Sequence, residues 1–188
     1  MKKYILILPF LLIYSCTIKG NFKGLYSYYS ITKKENPNLF INSNNINVIC
    51  NKDFKNDNNV IYITNGLTLK ECLNSNEKSI VYIWGAKCKS KICYPLEVIQ
   101  NYCNKNNFKL YIVSEYYDSE GMSRNHDIET NILAVDTKHY NTDLTKKYLN
   151  LFFNDVDKNI DYNNLENKYL YFEKDVFIKS AESIYQIK

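Results

Sequence analysis

The middle of the chain alternates between short apolar runs and segments whose apolar residues recur at helical spacing. The runs are rich in β-branched and aromatic residues and are bounded by polar ones, which predicts strands. One of them, Ile80 to Trp84, is apolar throughout, as is typical of a strand buried on both faces. The predicted strands are Ile46 to Cys50, Val60 to Thr64, Ile80 to Trp84, Leu110 to Val113 and Ile132 to Val135.

Three segments have the period of a helix. They are Leu67 to Leu73, Leu96 to Cys103, and Leu144 to Phe153. Pro95 fits the first turn of the second helix, because a proline there removes no helical hydrogen bond. In the third segment, the pattern predicts that Leu144, Tyr148, Leu151 and Phe152 share the buried face.

The end of the chain reads KYLYFEKDVFIKSAE, two alternating runs around Lys174 and Asp175. Such a pattern predicts a β-hairpin. Strands that alternate with helices and are closed by an antiparallel hairpin predict an α/β sandwich around a mixed sheet.

The first sixteen residues, MKKYILILPFLLIYSC, have the layout of a secretory signal peptide. Lys2 and Lys3 supply the positive start, Tyr4 to Tyr14 the apolar stretch, and Ser15 a small residue before a cut. The apolar stretch is too short to span a bilayer as a helix. We therefore expect residues 1–15 to be removed and the protein to be exported.

The junction LIYSC resembles the lipobox of bacterial lipoproteins. The resemblance implies that Cys16 becomes an acylated N-terminus that holds the protein on a membrane surface of the cell envelope, in the periplasm or at the cell surface. The alternative is an ordinary signal peptide with an incidental cysteine. Residues 16–45, punctuated by Gly, Asn and Pro, are expected to be a tether, with Tyr26, Tyr28 and Tyr29 in a short strand or packed on the domain. Residues 46–188 then form one domain.

The net charge of the chain limits the classes of binding partner that we expect. The net charge is +4, and removing Lys2 and Lys3 leaves 22 − 20 = +2, with both signs interspersed. So small a net positive charge does not favour nucleic acid as a binding partner. The expected partners are the membrane, through Cys16, and a protein of the envelope.

An exported chain lives where disulfides persist. Five cysteines follow Cys16, so at least one thiol is unpaired within the chain. Cys50 and Cys72 could form a bridge, or both could be small buried apolar residues. Cys103 lies on the apolar side of its predicted helix and is expected in the core.

The predicted strand that ends at Trp84 runs directly into WGAKC and then, through KSKICYPLE, into a helix. This order resembles the W-A-x-x-C opening of the thioredoxin-like superfamily, and the resemblance covers roughly Ile46 to Ile187. Its nearest likeness is to the membrane-tethered thioredoxin-like lipoproteins of bacteria. It implies a thioredoxin-like three-layer sandwich with a mixed central sheet and a C-terminal β-hairpin. It also implies that Cys88 is a nucleophile and Cys93 its resolving cysteine.

The sequence departs from the superfamily pattern at two points. The cysteines are spaced C-x4-C, so Lys91 stands where the second cysteine of a C-x2-C would be. The superfamily's cis-proline is expected just before Ile132, after the polar stretch that follows the predicted strand Leu110 to Val113. The chain has prolines only at positions 9, 37 and 95. These departures favour a non-catalytic binding or structural module without a cofactor.

The alternative function is a thiol–disulfide oxidoreductase that uses Cys88 and Cys93. A helix N-terminus and Lys87, Lys89 and Lys91 around Cys88 would stabilise its thiolate. A weaker alternative is a copper-handling protein, in which the two thiolates and His126 or His139 would bind Cu(I). No metal site is assigned on these grounds. Tyr116, Tyr117, Asp118 and Asp136 follow predicted strands, where ligand sites of α/β folds tend to form.

Overall fold

The computed structural model describes residues 24–43, 45–50, 60–88, 90 and 93–187. The predicted signal peptide, the lipidation candidate Cys16, and Lys89 and Lys91 lie outside the described residues. Within the described ranges, no helix combines the length and the apolarity that crossing a membrane requires.

The centre of the structure is a mixed sheet of seven strands in the order β1-β2-β5-β4-β3-β6-β7. The first five strands are parallel, whereas β6 runs antiparallel to β3 and β7 antiparallel to β6. The carboxyl ends of the parallel strands therefore share one edge, the carboxyl edge. The strands are β1 Phe40–Asn42, β2 Ile61–Thr64, β3 Lys78–Trp84, β4 Lys109–Ser114, β5 Ile132–Val135, β6 Tyr169–Glu173 and β7 Val176–Ala181.

Helices cover both faces of this sheet. Successive residues of β3 point to opposite faces, so Ile80 and Tyr82 enter one core and Val81 and Ile83 the other. This explains why the whole run is apolar and confirms the prediction of a strand buried on both faces. The helices are α1 Tyr29–Glu35, α2 Ile46–Cys50, α3 Gly66–Asn74, α4 Leu96–Lys105, α5 Ser119–Met122 and α6 Thr145–Val156, with short 3₁₀ turns at Tyr162–Asn164 and Ile184–Gln186.

The predicted mixed α/β architecture and the C-terminal hairpin are confirmed. Four of the five predicted strands and all three predicted helices are present, each within a few residues of its expected bounds. The prediction of a strand at Ile46 to Cys50 is wrong, because these residues form α2. Their apolar positions 46, 49 and 50 also fit a helix. The edge of β2 that another strand could have joined is already paired with β1.

Residues 24–43 pack on the domain rather than only leading to it. Tyr29 and Phe40 are buried against Tyr117. The centroid of the Tyr117 ring lies 5.0 Å from that of Tyr29 and 5.4 Å from that of Phe40. The main-chain N–H of Tyr117 also donates to Ser27 O at 2.8 Å. The tyrosine-rich segment is therefore packed on the domain, and from Tyr29 onward it forms a helix rather than a strand.

The buried face of α6 differs from the predicted one. Tyr148 and Phe152 are buried as expected, together with Leu149, Phe153 and Val156, but Leu144 and Leu151 are 42% and 37% exposed. The reason is that α6 packs both on the sheet and on α3, which turns the buried stripe away from these two leucines.

Four of the five cysteines that follow Cys16 form disulfides. Cys50 bonds to Cys72, which joins α2 to α3. Cys88 bonds to Cys93, and Cys103 is a free thiol buried in the core, as predicted. Burial raises the pKa of Cys103 to about 12, so this thiol is unreactive near neutral pH.

Candidate functional site

The predicted cysteine pair lies at the carboxyl edge, directly after β3. The N–H of Cys88 donates to Gly85 O at 2.8 Å and closes a turn, and the N–H of Cys93 donates to Ser90 O at 3.1 Å. These turns bring the two sulfurs together in the Cys88–Cys93 disulfide. The two candidate site residues, Cys88 and Cys93, are therefore adjacent and joined in a disulfide.

Both cysteines of this bridge are partly exposed, unlike the buried Cys72 and Cys103. Ser90 Oγ lies 3.3 Å from the sulfur of Cys88 and 3.3 Å from that of Cys93. A hydroxyl in this position can donate a weak hydrogen bond to either sulfur. Solvent can therefore reach the disulfide, and the Ser90 hydroxyl lies close to both of its sulfurs.

The helix that follows the bridge begins several residues after Cys88. Helix α4 starts at Leu96 with Pro95 as its N-cap, so Cys88 lies eight positions before its first residue (96 − 88). The expectation that Cys88 stands at a helix N-terminus is therefore wrong, because the longer C-x4-C loop and Pro95 delay the helix.

Lys87 was expected to favour a thiolate at Cys88, but its ammonium is bound to carboxylates. Its Nζ lies 2.9 Å from Asp118 Oδ2 and 3.2 Å from Glu120 Oε2. Its hydrogen bond with Asp118, and then that with Glu120, raise the pKa of Lys87, while the bond with Lys87 lowers the pKa of Glu120. The positive charge of Lys87 is therefore compensated by these two carboxylates.

Helix α5 holds the turn before Cys88 in place. The Asp118 side chain caps this helix by accepting from Gly121 N at 2.7 Å. A Cβ on Gly121 would lie 2.6 Å from the Cβ of Ala86, so only glycine permits this close packing. The Asp118 predicted as a ligand-site residue thus organises the loop that carries the bridge.

An ion pair that the sequence analysis missed lies beside the bridge. Glu115, just after β4, and Lys168, just before β6, are joined at 2.8 Å, and each side chain is about four-fifths buried, at 22% and 21% exposure. A Cβ on Gly85 would be 3.1 Å from Glu115 Oε2, 3.5 Å from Lys168 Nζ and 3.5 Å from the Cβ of Cys88. Gly85 is therefore the point where the ion pair and the bridge meet.

Tyrosines surround this ion pair. Tyr148 donates its hydroxyl to the main-chain carbonyl of Glu115. Burial, followed by the negative charge of Glu115, raises the pKa of Tyr162, and burial raises the pKa of Tyr148. These phenols therefore stay protonated and serve as donors. The only signal for this cluster in the sequence was a charged residue directly after a buried strand.

The two histidines lie in separate surroundings. His126 packs edge-on against Trp84 at 5.3 Å, and its Nδ1 is 3.8 Å from Glu97 Oε1. His139 packs against Tyr140. The described residues contain no group of three or more His, Cys, Asp or Glu arranged to hold a metal ion. The copper-handling alternative therefore has no supporting observation in these ranges.

The remaining predicted site residues have structural roles. Asp136 Oδ1 accepts from the N–H groups of Lys138 and His139 and closes a turn. Tyr117 donates its hydroxyl to Val135 O at 2.7 Å inside the core. Both stabilise the carboxyl edge.

Two clefts flank the turn that carries Cys88. One, of about 330 Å³, lies between α1 and α5 and is lined by Thr32, Lys87 and Tyr116 among others. The other, of about 490 Å³, runs from Glu115 and Lys168 to Gly24 and Lys146. Both clefts offer polar and aromatic groups for binding.

Comparison with known protein families, with curated proteins and with solved structures finds no match to this chain.

Proposed function

We propose that this chain is an envelope lipoprotein, anchored through Cys16, whose divergent thioredoxin-like domain acts as a binding or structural module. Support for a thioredoxin-like arrangement comes from the unit β3–α4–β4, followed by a hairpin that pairs with the other side of β3. The cysteine bridge then stands after the central strand of that unit. The additional strands β1 and β5 distinguish this sheet from the minimal arrangement.

The observation that carries the non-catalytic proposal is the position of Cys88. A reactive cysteine of this kind needs a stabilised thiolate, and the usual sources are a helix N-terminus or an uncompensated cation. Cys88 lies eight residues before the first residue of α4, and the ammonium of Lys87 is bound to Asp118 and Glu120. Among the described residues, Cys88 is therefore outside the first turn of the helix, and Lys87 is not an uncompensated cation.

A second candidate, a thiol–disulfide oxidoreductase, is favoured by one observation. The Cys88–Cys93 bridge is partly exposed at the carboxyl edge, and Ser90 lies against both sulfurs. In such an enzyme a thiolate of Cys88 would attack one sulfur of a substrate disulfide and release the other as a thiolate. Cys93 would then attack Cys88, reform the bridge and release the reduced substrate.

The two candidates differ in the behaviour of Cys88 in the exported protein. We expect the bridge to survive a mild reductant, and the protein to show no reduction of oxidised glutathione. The measurement is mass-spectrometric counting of alkylated thiols near pH 7, alongside a reductase assay, with Cys103→Ala as a control because that thiol is buried. If Cys88 is alkylated selectively and Cys88→Ser abolishes a measured reductase activity, the oxidoreductase function replaces the first proposal.

Anchoring has its own test. Metabolic labelling with palmitate should label the wild-type chain and leave Cys16→Ala unlabelled and released from the membrane. A Cys16→Ala chain that keeps its label and stays membrane-bound would contradict anchoring through this residue. Cys103→Ala is again the matched control, because it also removes one cysteine.

A further inference from the structure

Three leucines form an exposed apolar patch on the surface next to the start of the described chain. Leu25, Leu144 and Leu151, hereafter the leucine patch, are 48%, 42% and 37% exposed. They line a groove of about 700 Å³, and the wall of this groove is mainly apolar. Leu144 and Leu151 are the two residues that the helical pattern of α6 assigned to the core and that the fold leaves in solvent.

The structure holds the leucine patch together. Leu25 O accepts from Thr145 N at 3.0 Å, and Tyr26 forms an antiparallel bridge with Leu144. Leu144 is the N-cap of α6 and Leu151 lies in its second turn, and both line the same groove. The first residues of the described chain and the first turns of α6 therefore present one continuous surface.

The charge beside the patch is positive. Lys146 and Lys147 are exposed on α6 and line the same groove, whose other lining residues are glycine, leucine and asparagine. The nearest carboxylate in sequence, Asp143, accepts a hydrogen bond from the hydroxyl of Ser27. Apolar side chains with lysines at their margin fit the interface of a bilayer, where leucines enter the acyl boundary and lysines meet anionic headgroups.

The length of chain before the patch allows this contact. Eight positions separate Cys16 from Gly24 (24 − 16). A chain of that length spans at most about 29 Å when fully extended. A protein acylated at Cys16 therefore keeps the leucine patch within a short distance of the membrane surface at all times.

We infer that the leucine patch, with Lys146 and Lys147, rests on the anionic membrane surface that holds Cys16. This inference deepens the proposed anchoring and depends on it for the proximity of the membrane. It gives the domain a fixed orientation. The cleft that begins at Gly24 and Lys146 ends at Glu115 and Lys168, which meet the Cys88 loop at Gly85. Residues beside the leucine patch and residues beside the disulfide loop therefore line the same cleft.

Photo-crosslinking of the full chain in its own membrane tests this orientation. A diazirine amino acid is placed at position 144 or 151, and at 176 or 178 as matched controls. Val176 and Ile178 are comparably exposed, at 53% and 46%, but belong to the edge strand β7. After illumination, the purified protein is digested, and each peptide is searched for phospholipid adducts by mass spectrometry.

We expect phospholipid adducts at 144 and 151 at several times the yield found at 176 and 178. Reversing the charge with Lys146→Glu and Lys147→Glu should lower the yield at 151 by about fivefold, since each lysine near an anionic surface contributes to binding. The control is Lys105→Glu with Lys158→Glu. Lys105 is the last residue of α4, Lys158 lies two residues after the end of α6, and both are exposed. This double variant should leave the adduct yield at 151 unchanged.

The same spectra report the acylation of Cys16, so the two ideas can fail separately. An acylated Cys16 with equal adduct yields at all four positions overturns the membrane-facing patch and leaves the anchor standing. Adducts from 144 or 151 to another protein, or to residues 17–23 of the same chain, also overturn it. Lipid adducts at 144 and 151 in a chain without acylated Cys16 support the patch and contradict the anchor.

Discussion

At the scale of single residues, the Glu115–Lys168 pair is the most informative feature of the carboxyl edge. Each side chain is about four-fifths buried, so each charge has lost most of its hydration and relies on the other. A Cβ at Gly85 would lie 3.1 Å from Glu115 Oε2, a tight contact, and 3.5 Å from both Lys168 Nζ and the Cβ of Cys88. The pair therefore lies next to the loop that carries the disulfide.

Removing one charge of this pair should destabilise the protein. We expect Lys168→Met to lower the free energy of unfolding by about 2 kcal/mol, because Glu115 would remain largely buried without its cation. Urea unfolding monitored by circular dichroism measures the change. The double variant Glu115→Gln with Lys168→Met should recover part of the loss.

The matched control is Lys70→Met. Lys70 pairs with Asp175 at 4.0 Å, and both side chains are at least one-third exposed, so its loss should cost less than about 0.5 kcal/mol. Equal losses for Lys168→Met and Lys70→Met would contradict the importance assigned to the buried pair.

Among the secondary-structure elements, two wrong predictions have one cause. The apolar pattern of Ile46 to Cys50 suits either a strand or a helix, and it becomes α2 because β1 already occupies the edge of β2. The apolar pattern of α6 contains more leucines than its packing partners can cover, so Leu144 and Leu151 remain exposed. In both cases the neighbouring elements decided between alternatives that the local pattern left open.

Close packing of α3 on α6 depends on a glycine at position 66. Gly66 begins α3 where it meets α6, and a Cβ there would lie 2.1 Å from the carbonyl oxygen of Phe152. Its N–H also donates to the hydroxyl of Tyr140 at 2.9 Å. The close approach of α3 to α6 at this point therefore requires a residue without a side chain.

At the scale of the whole molecule, the two disulfides differ in what they constrain. Cys50–Cys72 spans 22 positions and ties α2 to α3, whereas Cys88–Cys93 spans 5 positions within one loop. A crosslink that closes a longer loop removes more conformational entropy from the unfolded chain. The first disulfide is therefore the stronger staple of the fold.

This difference predicts the outcome of removing each bridge. Replacing Cys50 and Cys72 by alanine should cost roughly 3 kcal/mol of unfolding free energy, and replacing Cys88 and Cys93 roughly 2 kcal/mol. Chemical unfolding of the oxidised proteins measures both. A larger loss for the Cys88 and Cys93 variant would contradict the loop-length argument and indicate that this bridge also fixes the surrounding carboxyl edge.

The amino-acid sequence was enough to predict the mixed α/β class, the C-terminal hairpin and most strands and helices, because these follow from the local spacing of apolar residues. It also identified Cys88 and Cys93 as a pair and Cys103 as a core residue. The pairing of Lys87 with Asp118, the Glu115–Lys168 pair and the exposure of the leucine patch became visible only in the folded molecule. Each of these depends on which distant elements meet, and no local pattern of residues contains that information.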